Sequence, residues 1–173
     1  MKMKRKPISY SLWFMPAKEQ KVVLENKINT LANQHGGPKF DPHITLLSSF
    51  VDDESTLLYK TKNLSKKIRS FEIIFDQVRY LNEFFRSLFI EIKFSEELKS
   101  VRSTAEKEFG WKDKNFIPHL SLMYGNYSNQ IKINIIKKMG VLPKVLTVNK
   151  IYLAHNDEIN FKWKVIEGFK INN

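Results

Sequence analysis

Residues 40–47 read Phe40-Asp41-Pro42-His43-Ile44-Thr45-Leu46-Leu47. The chain repeats the octet at 116–123 as Phe116-Ile117-Pro118-His119-Leu120-Ser121-Leu122-Met123. Phe, Pro, His and the Leu46/Leu122 position are identical, and Ile44/Leu120, Thr45/Ser121 and Leu47/Met123 are conservative pairs. His43 and His119 are 76 residues apart in a chain of 173, so one octet falls in each half. Two of the four histidines hold the same place in it. After each proline, apolar residues (Ile44, Leu46; Leu120, Leu122) alternate with polar ones (His43, Thr45; His119, Ser121), which is the period of a strand. Each motif then presents an imidazole and a hydroxyl on one face, with aliphatic side chains behind. Proline, with φ fixed and no ladder donor, suits the first residue of such a strand. Two such strands side by side would gather two imidazoles and two hydroxyls around one space, a site for a phosphate flanked by an acid and a base.

Outward from the octets, the pattern reads as alternating strands and helices. Residues 8–15 form a strand stopped by Pro16. Residues 18–34 carry Val23, Leu24, Ile28, Leu31 and Ala32 at helical spacing and end at His35-Gly36-Gly37-Pro38. The first motif strand runs to about Val51. Asp52-Asp53-Glu54-Ser55 opens a helix to about Arg69 with Leu57, Leu58, Leu64 and Ile68, and strands at 71–81 and 85–94 join at Asn82-Glu83. In the second half, Ser95-Glu96-Glu97 caps a helix over Leu98, Val101 and Ala105 that stops at Gly110. The second motif strand covers 116–124, a helix covers 128–139 with Gly140 closing it, and strands at 145–154 and 160–169 join at Asn156-Asp157.

Tyr80-Leu81 against Tyr152-Leu153, and Phe85-Arg86 against Phe161-Lys162, extend the likeness of the halves. The expectation is an α+β fold of two pseudo-symmetric β-α-β-α-β-β-like lobes, about 1–84 and 85–173, with antiparallel sheets flanking a central cleft. Residues 1–173 form a single internally duplicated domain, its lobes free to exchange strands.

With 42% apolar residues the chain is able to bury a core. It has no cysteine, which excludes disulfides, thiolate zinc and a thiol nucleophile. The basic N-terminal start has no apolar run of signal length behind it, and no run of about 18 apolar residues occurs, so a cytoplasmic protein without a membrane span is expected. The formal charge of +11 suits an anionic ligand. It suits a composition rich in Lys, Ile and Asn equally, because the basic clusters at 2–6, 66–69 and 137–138 are short and dispersed.

Around its octets the chain resembles the 2H phosphoesterase superfamily, named for two His-x-Thr/Ser motifs. Pro118-His119-Leu120-Ser121-Leu122-Met123-Tyr124-Gly125, with Ser11-Leu12-Trp13-Phe14 near the start, is most similar to the plant and yeast cyclic phosphodiesterases. Ser48-Ser49-Phe50 departs from the Phe-Leu-Gly often found after the first motif in the RNA-ligase branch. The resemblance implies His43, Thr45, His119 and Ser121 as catalytic, and Tyr124, Trp13 and Phe85 as substrate contacts. It also implies 2′,3′-cyclic nucleotides, cyclic-phosphate RNA ends or ADP-ribose 1″,2″-cyclic phosphate as substrates, with a 2′-phosphate product.

Histidine suits both proton-transfer roles near neutral pH; His119 is assigned as base and His43 as acid, although approximate symmetry allows the reverse. Thr45 and Ser121 are placed to donate to the non-bridging phosphate oxygens. No metal or cofactor is expected, since no His/Asp/Glu cluster has metal-ligand spacing, and neither is an obligate partner; the chain is expected to be a monomer. Kept beside this reading are a 2′-5′ oligonucleotide or cyclic-dinucleotide phosphodiesterase, an RNA 2′-5′ ligase-like enzyme, and a non-catalytic RNA- or nucleotide-binding module. Set against a substrate role, Tyr124 reads equally as a packing aromatic, and Trp13, on a buried strand, reads more as core than as a platform. His35 reads as a helix-end residue and His155 as a solvated hairpin residue.

Overall fold

The computed structural model describes residues 9–112, 114 and 116–172. Ile8, the expected start of the first strand, and the basic cluster at 2–6 lie outside them. Among the described residues, eight strands and four helices follow the expected order except at 145–154, where the pattern reads as one strand: β1 Ser9–Phe14, α1 Lys18–His35, β2 Ile44–Phe50, α2 Glu54–Lys67, β3 Phe71–Arg79, β4 Leu88–Ile92, α3 Glu96–Phe109, β5 His119–Met123, α4 Asn129–Lys137, β6 Val145–Val148, β7 Lys150–Asp157 and β8 Lys162–Lys170.

Three of the four described helices start at a side-chain cap, and α1 starts at Ala17 without one. Asp53 accepts from the Thr56 amide at 3.0 Å, Ser95 from Leu98 at 3.2 Å and Ser128 from Ile131 at 3.4 Å, each satisfying an amide that has no partner within its helix. Gly110 ends α3 in the left-handed conformation, φ 60°. The faces are those the spacing requires, Leu24, Ile28, Leu31 and Ala32 in α1 and Leu98, Val101 and Ala105 in α3. Val23, expected on the α1 face, is instead 47% exposed.

The strands form one antiparallel sheet in the order β6-β3-β4-β5-β2-β1-β7-β8. The motif strands β2 and β5 are neighbours at its centre and pair at Ile44 and Leu120. Each half of the chain sends a strand across: β3 pairs with β4, and β7 pairs with β1. Ile44, Leu46, Leu120 and Leu122 join a core with Leu24 and Leu31 of α1, Leu57 and Leu64 of α2 and Leu98, Val101 and Ala105 of α3. The alternating polar residues of the motifs are left for the other face.

Four details differ from the sequence reading. The expected strand at 145–154 is two strands on opposite sides of the sheet, because β6 pairs with β3 while β7 pairs with β1. Asn156-Asp157 is strand rather than turn; Asp157 accepts from the Asn160 amide at 3.0 Å and caps the turn that follows. His155 is therefore half-buried in β7, edge-on to Tyr10 at 5.6 Å, and not a solvated hairpin residue. Phe84–Arg86 is a single 3₁₀ turn ahead of β4, so Phe85 does not match Phe161 in topology: β4 is central and β8 is an edge.

Candidate active site

Extending the Ile44–Leu120 register by one residue each way sets His43 across from Ser121 and Thr45 across from His119. The two histidines thus lie on one diagonal of a quartet and the two hydroxyls on the other. Both imidazoles are fixed in the same way. His43 Nδ1 lies 2.7 Å from the Asp41 carbonyl and His119 Nδ1 lies 2.6 Å from the Ile117 carbonyl, in each case two residues upstream, across the proline. A carbonyl only accepts, so Nδ1 carries the hydrogen in both rings. Nε2 of each ring has no hydrogen-bond partner among the described residues and could exchange a proton.

His43 and His119 line one cavity of about 280 Å³, together with Thr45, Trp13, Phe85, Tyr124 and Trp163. That volume is near the lower end of the ~300–1,000 Å³ of small-molecule sites. Arg86 and Lys114 add positive charge to the lining and Glu158 negative charge. Arg86 is held by Glu83 at 2.5 Å.

The rings differ in surroundings. His43 is 8% exposed and stacks face to face on Trp13, centroids 3.7 Å apart and planes 13° apart, with Phe40 edge-on at 6.3 Å. Burial draws its pKa down to about 4, and the neighbouring His119 adds to the effect, against the pull of the Asp41 carbonyl. Burial lowers His119 as well, assisted by the Arg86 guanidinium and opposed by the Ile117 carbonyl. Phe89 touches the His119 ring edge-on at 5.3 Å.

Of the sequence-assigned site residues, His43, Thr45, His119, Trp13, Phe85 and Tyr124 line this cavity and Ser121 does not; three are set differently from the expectation. Ser121 is 4% exposed and its hydroxyl donates to the Phe85 carbonyl at 3.1 Å, within the wall. Trp13, 2% exposed, meets the site chiefly through the His43 ring. Tyr124 is 6% exposed, stacked on Phe40 at 3.9 Å and edge-on to Phe85 at 5.3 Å; burial pushes its phenol pKa up.

Where Tyr124 has no counterpart after the first motif, β2 bulges. Leu12 pairs with Leu47 and Tyr10 with Phe50, so three steps on β2 face two on β1. Ser49 takes a left-handed φ of 60°, and Ser48 and Ser49 both reach the lining. Sequence reasoning missed Trp163, Ser11 and Asn156. The one available signal was a tryptophan set among lysines on an exposed strand, Lys162-Trp163-Lys164. Among the described residues no three His, Asp or Glu side chains converge as a metal site.

A family model described as "Cyclic phosphodiesterase-like protein" matches residues 8–171. A cyclic phosphodiesterase of Arabidopsis thaliana is 23% identical over 156 residues, 86% of this chain and 85% of that one. A 2′,3′-cyclic-nucleotide 3′-phosphodiesterase of Phaeosphaeria nodorum is 28% identical over 130 residues, 66% of this chain and 67% of that one. Among solved structures, E. coli LigT complexed with 3′-AMP superposes with a TM-score of 0.60 over 97% of this chain and 100% of that one, at 11% identity, a likeness of fold alone. With the family model spanning both His-x-Thr/Ser strands and the cleft between them, the chain belongs to the cyclic phosphodiesterase-like enzymes, built on the 2H phosphoesterase fold.

Proposed function

We propose that this protein hydrolyses 2′,3′-cyclic phosphates of nucleotides to the 2′-phosphate, by acid–base catalysis between His119 and His43 and without a metal. The observation that carries the reading is the diagonal quartet. Two imidazoles, each with Nδ1 tied to a carbonyl and Nε2 free, face one cavity with Thr45 between them. The phosphodiesterases among its relatives support the substrate class.

His119, neutral at pH 7, takes a proton from water as the water oxygen bonds to phosphorus. His43 gives its Nε2 proton to the ribose 3′-oxygen as that P–O bond breaks. The Thr45 hydroxyl donates to a non-bridging oxygen as charge grows there. An acid whose pKa burial lowers to about 4 must be loaded when substrate binds. The anionic phosphate supplies that by raising the pKa of both rings.

The testing experiment is hydrolysis of the four 2′,3′-cyclic nucleotides in EDTA by wild type, His43→Ala and His119→Ala. Turnover that survives EDTA and drops by at least 10²-fold in each variant is expected. Full activity in either variant overturns the assignment, and a 3′-phosphate product overturns the identity of the leaving oxygen. Turnover abolished by EDTA overturns the metal-free mechanism.

A further inference from the structure

Part of the cavity lining has no role in this reaction. Ser11 on β1 and Asn156 on β7 line it while only 3% and 7% exposed. The Asn156 amide nitrogen donates to the Ser11 hydroxyl oxygen. The amide oxygen, shielded from solvent, has no hydrogen-bond partner among the described residues. Had the pair served only to tie β1 to β7, nothing would require a buried acceptor to be left empty, which folded proteins avoid. β7 and β8 pair Asn156 directly with Trp163, so both side chains project from the same face of the sheet. The Trp163 ring lies 5.6 Å from Tyr124 and 6.4 Å from Phe85. Ser11 precedes Trp13 by two residues on β1, hence on the same face, and Trp13 carries His43. The polar pair therefore sits one strand repeat from the catalytic end, within the same cavity.

We propose that Ser11 and Asn156, with Trp163 beside them, form a nucleobase subsite: the indole covers a face of the base and the amide–hydroxyl pair binds an edge that carries an N–H next to an acceptor. The proposal rests on the cyclic-phosphate reading above, since a phosphate held between His43 and His119 brings its base into the same cavity. The Asn156 oxygen is covered as the side chains stand, so the amide must swing toward the cavity before it accepts from a ligand N–H, while the Ser11 hydroxyl hydrogen donates to a ring nitrogen or carbonyl. With the amide turned over, Asn156 donates and Ser11 accepts. The pair thus complements a donor–acceptor edge in either order, which lets one site take keto and amino bases alike. Stacking on an indole is equally tolerant of sequence.

The test compares kcat/KM for uridine 2′,3′-cyclic phosphate and for base-free ribose 2,3-cyclic phosphate, in wild type, Asn156→Ala and Ser11→Ala. The nucleotide-to-ribose ratio is expected to fall about fivefold to tenfold in each variant, through KM. A ratio that stays constant overturns the subsite, whether both substrates weaken together or neither does. Calorimetric binding of uridine 2′-phosphate against ribose 5-phosphate separates this failure from that of the proposed reaction. If wild type prefers the nucleotide and Asn156→Ala loses the preference, the subsite stands even where no turnover is seen. If wild type shows no preference, the subsite is overturned even where turnover is seen.

Discussion

The enclosure of His43 makes folding stability depend on pH in a window that few other groups share. Burial lowers the His43 pKa from its ordinary 6.5 to about 4. Below pH 6.5 the unfolded chain takes up a proton at His43 that the folded protein refuses until about pH 4, so the unfolded state binds more protons and stability falls as pH falls. Integrating that difference from pH 8 to pH 5 gives a loss of about 2 kcal/mol from His43. His119, also lowered, adds in the same direction. The carboxylates drawn down in the fold, Asp53 to about 2 with Glu97 and Asp157, lose their contribution only below their unfolded values near 4, so stopping at pH 5 keeps them out. Urea unfolding followed by tryptophan fluorescence at pH 8 and pH 5 measures the effect. Wild type should lose about 2 kcal/mol more than His43→Gln over that interval. Parallel losses in the two proteins would refute the claim that the fold holds this ring neutral. Saturating inorganic phosphate should shrink the difference, because an anion beside Nε2 raises the pKa again.

Thr45→Val removes a cavity-lining hydroxyl at nearly constant volume, and kcat should fall about 10²-fold with KM little changed. Ser121→Ala should cost less than about tenfold, as that hydroxyl is engaged by the Phe85 carbonyl; steady-state kinetics on one cyclic nucleotide compares the two. Arg102, 6% exposed, donates to the Leu46 carbonyl at 2.6 Å, pairs with Glu106 at 3.0 Å and lies 3.6 Å over the Phe116 ring. Arg102→Leu strips partners from both oxygens and should cost about 3–5 kcal/mol in thermal or urea unfolding. At Gly37, φ 102°, an added Cβ would lie 2.7 Å from the Tyr124 carbonyl and 2.9 Å from the Tyr127 hydroxyl. Gly37→Ala should therefore destabilise by about 1–3 kcal/mol and raise KM by displacing Tyr124, read by unfolding and kinetics together.

The sequence made most legible what is settled within a few residues. Capping by Asp53, Ser95 and Ser128 is local chemistry, and the helices begin where those side chains reach the third following amide. The octets marked the two central strands and, through their alternation, the face each residue takes. What escaped depends on partners distant in the chain. Val145–Val148 and Lys150–Asp157 read as one strand because Asn149 alone parts them, and only pairing with β3 on one side and β1 on the other separates them. Misplacing the turn at Asn156 hid a buried cavity residue as a hairpin tip. Trp163 escaped for a related reason: its setting between Lys162 and Lys164 on the edge strand β8 marks it as unusual, but nothing local tells an indole covering a cleft from one facing water.

The octets also show how like sequences come to unlike roles. Phe40 and Phe116 hold the same place in the two copies. Phe40 stacks on Tyr124 and touches His43 edge-on, closing that imidazole away from water. Phe116 lies under the Arg102 guanidinium, and His119 keeps company with Arg86 and the edge of Phe89. Two imidazoles with the same tautomer and the same tie to the backbone are interchangeable as proton carriers until their surroundings differ. Trp13 and Phe40 supply that difference for His43. On the reaction proposed above, an acid and a base drawn from one motif would need such an asymmetry, because a 2′,3′-cyclic phosphate, whose two ester oxygens are nearly equivalent, would otherwise bind in either orientation and yield both products.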